Sequence, residues 1–377
     1  METLKDRRKP KKDGDFLMAA LVFALSLFGI VMVFSASYYT SLSKFGYAYE
    51  YLKQDAIWMG AGWLFFIAFS VIDYHYLKIL AWPALIVGLI LLGLLFTPMG
   101  VTLNGATRWL DFGIATVMPG ELIKFALILW VARFLGDDPE KVRDARKGLA
   151  PVIVVLVAVV LLILKQPNLS TAGIIAILVI GMVFVAGMRL YWLFVAAIVG
   201  GLGFAGIVFS PKGAYMLQRI TTAVDPWADE LGSGYQVVQS LLALGSGGVT
   251  GVGLGKSIQK ALYLPEPMND FITAIIGEEL GLIGLLIMLA AFLLLLWRCA
   301  RIALRAKDYY GMLLASGITI LLGTQVILNV AVVSASFFPT GVVLPFITLG
   351  GNATVVFLSL MGILFNISKH PSEEVRP

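Results

Sequence analysis

Apolar runs of about 17 to 25 residues recur along the whole chain, and each is long enough to cross a hydrocarbon core of ~30 Å as a helix. Ten can be read, near residues 16–34, 56–72, 79–97, 118–135, 149–164, 169–187, 190–209, 271–297, 310–333 and 341–367. With 59% of its 377 residues apolar and 14% charged, the chain lies far from soluble averages. The expectation is an all-α integral membrane protein of ten transmembrane helices.

Orientation follows from the basic residues, because Lys and Arg collect in short cytoplasmic loops. With the N terminus inside, most of them fall on the cytoplasmic side: the run from Lys5 to Lys12, Lys78, the cluster from Arg133 to Lys147, Arg189, the cluster from Arg298 to Lys307, Lys369 and Arg376. Ten crossings return the C terminus to the cytoplasm. The expected organisation is a basic tail over 1–15, a polytopic membrane domain over 16–368 and a short cytoplasmic tail over 369–377. The net charge of +5 is then topological, with no nucleic-acid partner implied. Ser35, Ala36 and Ser37 imitate a signal-peptide cleavage site, but the run before them is too long for one and further spans follow. The lone Cys299 excludes an intrachain disulfide, and His75 and His370 make no His or Cys metal cluster.

Polar residues concentrate at the extracytoplasmic ends. YLPEPMNDFITAIIGEELG, residues 263–281, sets Asp270 at the mouth of an apolar segment that itself carries Glu278 and Glu279. A charge at bilayer depth costs at least ~2.5 kcal/mol, so such groups usually line a polar cavity. NGATRWLDFGIATVMPGELIK, residues 104–124, offers Arg108 and Trp109 in a loop, then Glu121 and Lys124 at i and i+3 on one helix face. That pair taken alone serves a helix brace as readily as chemistry. Two extracytoplasmic loops, 97–117 and 210–269, are the longest connections, and long ordered loops tend to carry function. The second contains an amphipathic pattern over 237–244 and a glycine-dense stretch over 245–255. Its glycines suit anion-binding backbone nests or, more simply, tight turns and close packing. Arg108, Lys124, Arg219, Lys256, Lys260, Glu266 and Asp270 share this extracytoplasmic half, and Gln166, Pro167 and Asn168 sit at its level.

One exposed acid among several cations suits transfer of a sugar from a lipid diphosphate. The diphosphate is its own leaving group, so the site needs a base for the attacking hydroxyl and positive charge for the departing diphosphate, from Arg, Lys or a divalent cation. A transporter cavity would use the same residue types.

NGATRWL at 104–110, GEL with Lys124, QPNLSTA at 166–172, DPWADELGSGYQVVQSLLALGSGGVTGVGLG at 225–255, residues 263–281 and PTGVVLPFITLGG at 339–351 together resemble the SEDS family of shape, elongation, division and sporulation proteins, which includes RodA, FtsW and SpoVE. The resemblance runs over nearly the whole chain. It implies a ten-helix peptidoglycan glycosyltransferase of the bacterial cell membrane that polymerises lipid II. The implied partner is a class B penicillin-binding protein, alongside other divisome or elongasome membrane proteins. It implies Asp270 as general base, Arg108 and Trp109 as a functional loop pair and Glu121 and Lys124 as cavity-lining; with Gln166, Arg219, Lys256, Lys260 and Glu266, which share their extracytoplasmic half, these make the substrate-binding candidates. A divalent cation, Mg or Mn, is a candidate cofactor; Glu278 and Glu279 read as architectural. NVAVV at 329–333 and VFSAS at 33–37 look more like the FtsW and SpoVE branch than RodA. The chain departs from the family pattern at Met268 and Asn269 (usually His and Thr), Gly120 (Ser), Asn168 (Asp) and Leu349 (an aromatic). Two rival readings remain at this level: a flippase or transporter for the same lipid-linked precursor, and a non-catalytic scaffold for a transpeptidase.

Overall fold

In lipid the backbone can pair only with itself, so each apolar run closes its own N–H and C=O groups into a helix. The computed structural model describes residues 13–103, 106–113, 116–209 and 214–372. Lys5–Lys12, Asn104 and Arg376 lie outside these residues. In chain order the elements are α1 (Phe16–Phe45), α2 (Glu50–Val71), α3 (Leu77–Leu94), the strands β1 (Gly100–Leu103), β2 (Ala106–Asp111) and β3 (Thr116–Val117), α4 (Pro119–Gly136), α5 (Ala150–Leu164), α6 (Leu169–Val185), α7 (Tyr191–Val208), α8 (Ala214–Val224), α9 (Tyr235–Gly247), α10 (Ile272–Leu304), α11 (Tyr309–Val333) and α12 (Gly351–Ser368).

Among the described residues seven helices are long and apolar enough to cross a membrane: α1, α2, α3, α5, α10, α11 and α12. This makes the chain a multi-pass α-helical membrane protein. Of the other expected spans, α4 carries Glu121, Lys124 and Arg133, and the apolar stretches of α6 and α7, Leu169–Val185 and Tyr191–Gly206, are shorter. Large apolar side chains such as Leu64, Ile79, Val154, Leu202 and Leu293 face outward, as lipid contact requires. The helices α4, α11 and α12 are buried over most of their length and form the centre.

Small residues set the closest approaches. A side chain on Gly62 would meet Leu358 and one on Gly362 would meet Phe66, so α2 and α12 run parallel in tight contact. Asn366 of α12 fastens their C-terminal ends: its Oδ1 accepts from the Tyr74 amide at 3.1 Å and its Nδ2 donates to the Ser70 carbonyl at 2.9 Å.

The long helix α10 is broken at Gly281, whose φ of 68° and ψ of −167° interrupt the ladder. The Leu282 and Ile283 amides donate instead to the Gly248 and Val249 carbonyls at 2.9 and 3.1 Å. The Glu278 and Glu279 carbonyls, left over by the same break, accept from the Val252 and Gly253 amides at 3.0 Å each. A segment of loop is thus spliced into the helix, and these four freed groups are paired again. Gly251, at φ 81°, lies so close to residues 279–281 that no Cβ fits. Of the two readings of the glycine-dense stretch, the structure shows tight turns and close packing.

Beyond this splice the chain ties itself down with buried charge. Lys260, 2% exposed, pairs with Glu279 at 2.7 Å and donates to Ser35 Oγ of α1 at 2.8 Å, and Ser35 in turn donates to Glu279 at 2.7 Å. Glu278 accepts from the Ser257 hydroxyl and from the Ile258 amide at 2.9 Å. Both carboxylates are therefore consumed in fixing residues 257–260 to α10 and α1.

Three expectations about elements need correction. The loop 97–117 contains a three-stranded antiparallel sheet, β1-β2-β3. The last helix begins at Gly351 and not near 341, because Pro345 lacks an amide hydrogen and Phe346 sits at φ 67°, so residues 334–350 run as extended chain and turns. In the long loop the expected amphipathic helix is present as α9, but α8 was not foreseen, an 11-residue polar-apolar pattern that does not stand out beside whole spans.

Replacing Gly281 with Ala should lower stability by ~2 kcal/mol or more through backbone strain and collision with residues 249–251, while Gly203→Ala, which meets open space in α7, should stay within ~0.5 kcal/mol of wild type. Thermal unfolding of the purified protein in one detergent checks both.

Candidate active site

Asp270 stands just before α10, where Pro265 and Pro267 keep the preceding chain out of a helix. Its backbone is held from two sides. The Asp270 carbonyl accepts from Asn329 Nδ2 at 2.8 Å, and two residues earlier the Met268 carbonyl accepts from the Leu349 amide at 2.9 Å. The carboxyl is half-buried and looks across at the extended segment before α12. A methyl group on Gly341 would stand 3.6 Å from Asp270 Oδ2 and 3.8 Å from Arg108 Nη1, so acid, guanidinium and bare glycine backbone share one small space.

Each neighbour arrives on a different element. The β1–β2 hairpin, with a register shift between Val101 and Thr102, lifts Arg108 over the site, and its Nη2 donates to the Pro167 carbonyl in the α5–α6 turn at 3.1 Å. Arg219 comes from α8, and its Nη1 donates to the Pro339 carbonyl at 3.0 Å. Glu266, exposed and at φ 51°, accepts from Asn269 Nδ2 at 2.6 Å one turn before the acid. Loss of hydration pushes the Asp270 carboxyl up to about 7; its own amide hydrogen bond works against this, Glu266 adds to it, and Arg108 and Arg219 oppose it. The result is a carboxyl poised to exchange a proton near neutral pH, which is what a general base needs.

A second polar group borders the first through the Arg108–Pro167 contact. Glu121 and Lys124 pair at 2.6 Å on α4, 6% and 1% exposed, and Glu121 Oε2 has no partner. Gln166 is buried with its Nε2 unpaired, and Asn168 caps α6 by accepting from the Thr171 amide at 3.2 Å. Asn168 thus has a structural use where the family pattern carries a carboxylate. A cavity of about 460 Å³ opens between this turn and the hairpin, lined by Thr97, Thr102, Thr107, Lys165, Gln166 and Pro167 among others. It is polar enough to hydrogen-bond a carbohydrate. Trp109 alternates with Arg108 along β2 and pairs with Val101.

The structure therefore gathers Arg108, Arg219 and Glu266 around Asp270, and places Glu121, Lys124 and Gln166 at the α4 and α6 ends. Two expected substrate-binding residues lie on the glycine-rich loop and its continuation. Lys260 is committed to Glu279 and Ser35, and Lys256 is exposed on the glycine-rich loop. The reason is local: the break at Gly281 draws residues 248–260 against α10 and takes both lysines with them. Missed from sequence were Asn329 and Gly341 as neighbours of the acid. Both stood in recognised motifs, and an amide inside an apolar span was the available signal.

The donor set around Asp270 does not fit a protein-built metal cage. Among the described residues no three His, Cys, Asp or Glu side chains come together, and two guanidiniums already face the acid.

A family model described as cell cycle protein, FtsW/RodA/SpoVE, matches residues 15–373. Stage V sporulation protein E of Bacillus subtilis (strain 168) is 37% identical, over 96% of this chain and 98% of its own. A probable peptidoglycan glycosyltransferase FtsW of Geobacter metallireducens is 39% identical, over 94% of each chain. Among solved structures, one described as the structural coordination of polymerization and crosslinking by a peptidoglycan synthase complex superposes with a TM-score of 0.79 at 27% identity, over 96% of this chain and 99% of the other. The rod shape determining protein RodA of Thermus thermophilus superposes with a TM-score of 0.69 at 26% identity, over 94% and 96% of the two chains. The chain belongs to the FtsW/RodA/SpoVE family.

Proposed function

We propose that this protein is a peptidoglycan glycosyltransferase that polymerises lipid II. The observation that carries the reading is Asp270 itself, a half-buried carboxyl pushed up to about 7 and set between Arg108 and Arg219. In the reaction the acceptor sugar hydroxyl attacks the anomeric carbon of the donor, and the new carbon–oxygen bond forms as the bond to the lipid diphosphate breaks. The hydroxyl proton passes to the Asp270 carboxylate, and the two guanidiniums stabilise the charge on the leaving diphosphate. Glu121, Lys124 and Gln166 bind the glycan, with Trp109 beside Arg108. Lys256 and Lys260 drop out of this assignment. A Mg or Mn cation, where the reaction uses one, belongs in this reading to the diphosphate of the substrate, and no step above passes through it.

The same reading gives the chain ten crossings, with both ends cytoplasmic, in the bacterial plasma membrane. Support comes from the basic clusters at Arg133–Lys147 and Arg298–Lys307 and from the three apolar or partly charged helices α4, α6 and α7 that supply the remaining crossings. The likeness to a solved peptidoglycan synthase complex supports a class B penicillin-binding protein as partner, and the FtsW and stage V sporulation relatives support division or sporulation wall synthesis with other membrane proteins of those assemblies.

Two outcomes are expected. Purified protein with its transpeptidase partner should make glycan strands from lipid II, Asp270→Asn should make none, and Arg108→Lys should lose ~10-fold or more, because an ammonium does not reproduce the planar fork of a guanidinium. Gel analysis of the strands checks this; transport of lipid II without any polymer would support the transporter reading instead, and full function of Asp270→Asn in cells the scaffold reading. For the topology, a membrane-impermeant maleimide should label Thr102→Cys but not Glu140→Cys in intact cells, with Cys299 silent because it is buried.

A further inference from the structure

Asn329 sits near the C-terminal end of α11, 0% exposed, one turn after a second buried amide, Gln325. An amide there persists only if its hydrogen-bonding groups are met. They are met by three groups on two segments, the start of α10 and the chain before α12. Nδ2 donates to the Asp270 carbonyl at 2.8 Å and to the Val342 carbonyl at 2.8 Å, and Oδ1 accepts from the Thr273 hydroxyl at 2.6 Å. The amide orientation is forced, because two carbonyls can face only the NH₂ end.

These bonds fall on the two sides of the gap described above. One carbonyl belongs to Asp270, and the other to Val342, the residue after Gly341. We infer that Asn329 is the positioning residue of the site: one side chain sets the spacing between the Asp270 carboxyl and the Gly341 backbone. The inference rests on the proposal that Asp270 is the reacting acid.

Alternatives for that task are weaker. Arg219 holds the opposite segment only at Pro339, and the Leu349–Met268 bond lies outside the gap. Thr273 bonds to the amide oxygen without touching either wall. Removing the two donations leaves buried carbonyls unsatisfied and frees both walls, and a misplacement of ~1 Å is worth about 100-fold in rate.

The test uses the full-length protein with its partner and lipid II, in wild type, Asn329→Leu, Asn329→Asp and Thr273→Val. Both Asn329 variants should lose ~100-fold in kcat with KM within about twofold, and Thr273→Val, which leaves both donations in place, should lose only about threefold. Equal losses in all three, tracking their melting temperatures, would overturn the positioning role. A second measurement needs no activity. Asp270→Cys with Gly341→Cys should form a disulfide on mild oxidation in the wild-type background and do so at least ~10-fold more slowly with Asn329→Leu. Equal cross-linking in both backgrounds would overturn the inference. A wild type that makes no glycan would overturn the polymerase reading alone, and the cross-linking rates would still decide the role of Asn329.

Discussion

The splice at Gly281 is the constraint on which the rest of this structure depends. A helix cannot break in lipid unless something replaces its lost hydrogen bonds, and here the glycine-rich loop does so with two donors and two acceptors. A Cβ on Gly251 or Gly281 would collide with the facing backbone, which accounts for glycine at these two positions, whereas at Gly248 the positive φ alone favours it. The buried Lys260–Glu279 pair and Ser35 then lock the same loop to α10 and α1. An unpaired charge at that depth would be costly, so the paired arrangement holds as a unit or not at all.

That anchoring reaches the site through the short stretch from Lys260 to Asp270. The loop leaves the buried network at Lys260, turns through Pro265 and Pro267, and presents Asp270 at the foot of α10. On the opposite wall, Pro339 to Gly350 is extended chain held by Arg219, Asn329 and Met268. The acid is therefore set by helices on every side, although it sits in a loop. Two buried asparagines do similar work at opposite ends of the helix bundle, Asn366 where α2 and α12 end and Asn329 beneath the acid.

Much of this was legible in the chain, for identifiable reasons. Apolar runs give helices because lipid leaves the backbone no other partner, and Asp270 is conspicuous because a carboxylate in such company is costly. The motifs around it carried the family. What stayed hidden depended on tertiary exchange. Nothing local distinguishes Gly281 from the other glycines of α10, yet its break draws in the loop that commits Lys260 to Glu279 and Ser35. Pattern alone showed a hydrophobic run from Gly341, where Pro345 and the turn at Phe346 keep the chain extended until Gly351. Asn329 was visible only as a branch marker, since its use depends on two carbonyls brought in from loops distant in sequence.

The central claim is that Asp270 acts as the base, and a pH–rate profile of glycan synthesis by the purified protein with its partner tests it most directly. With its carboxyl pushed up to about 7, Asp270 is protonated and unable to accept a proton at lower pH and ionised above it, so the rate should rise through about pH 7 as one proton leaves and then level off. A rate that stays flat from about pH 5.5 to 8.5, or a residual rate in Asp270→Asn with the same rising limb, would contradict the account.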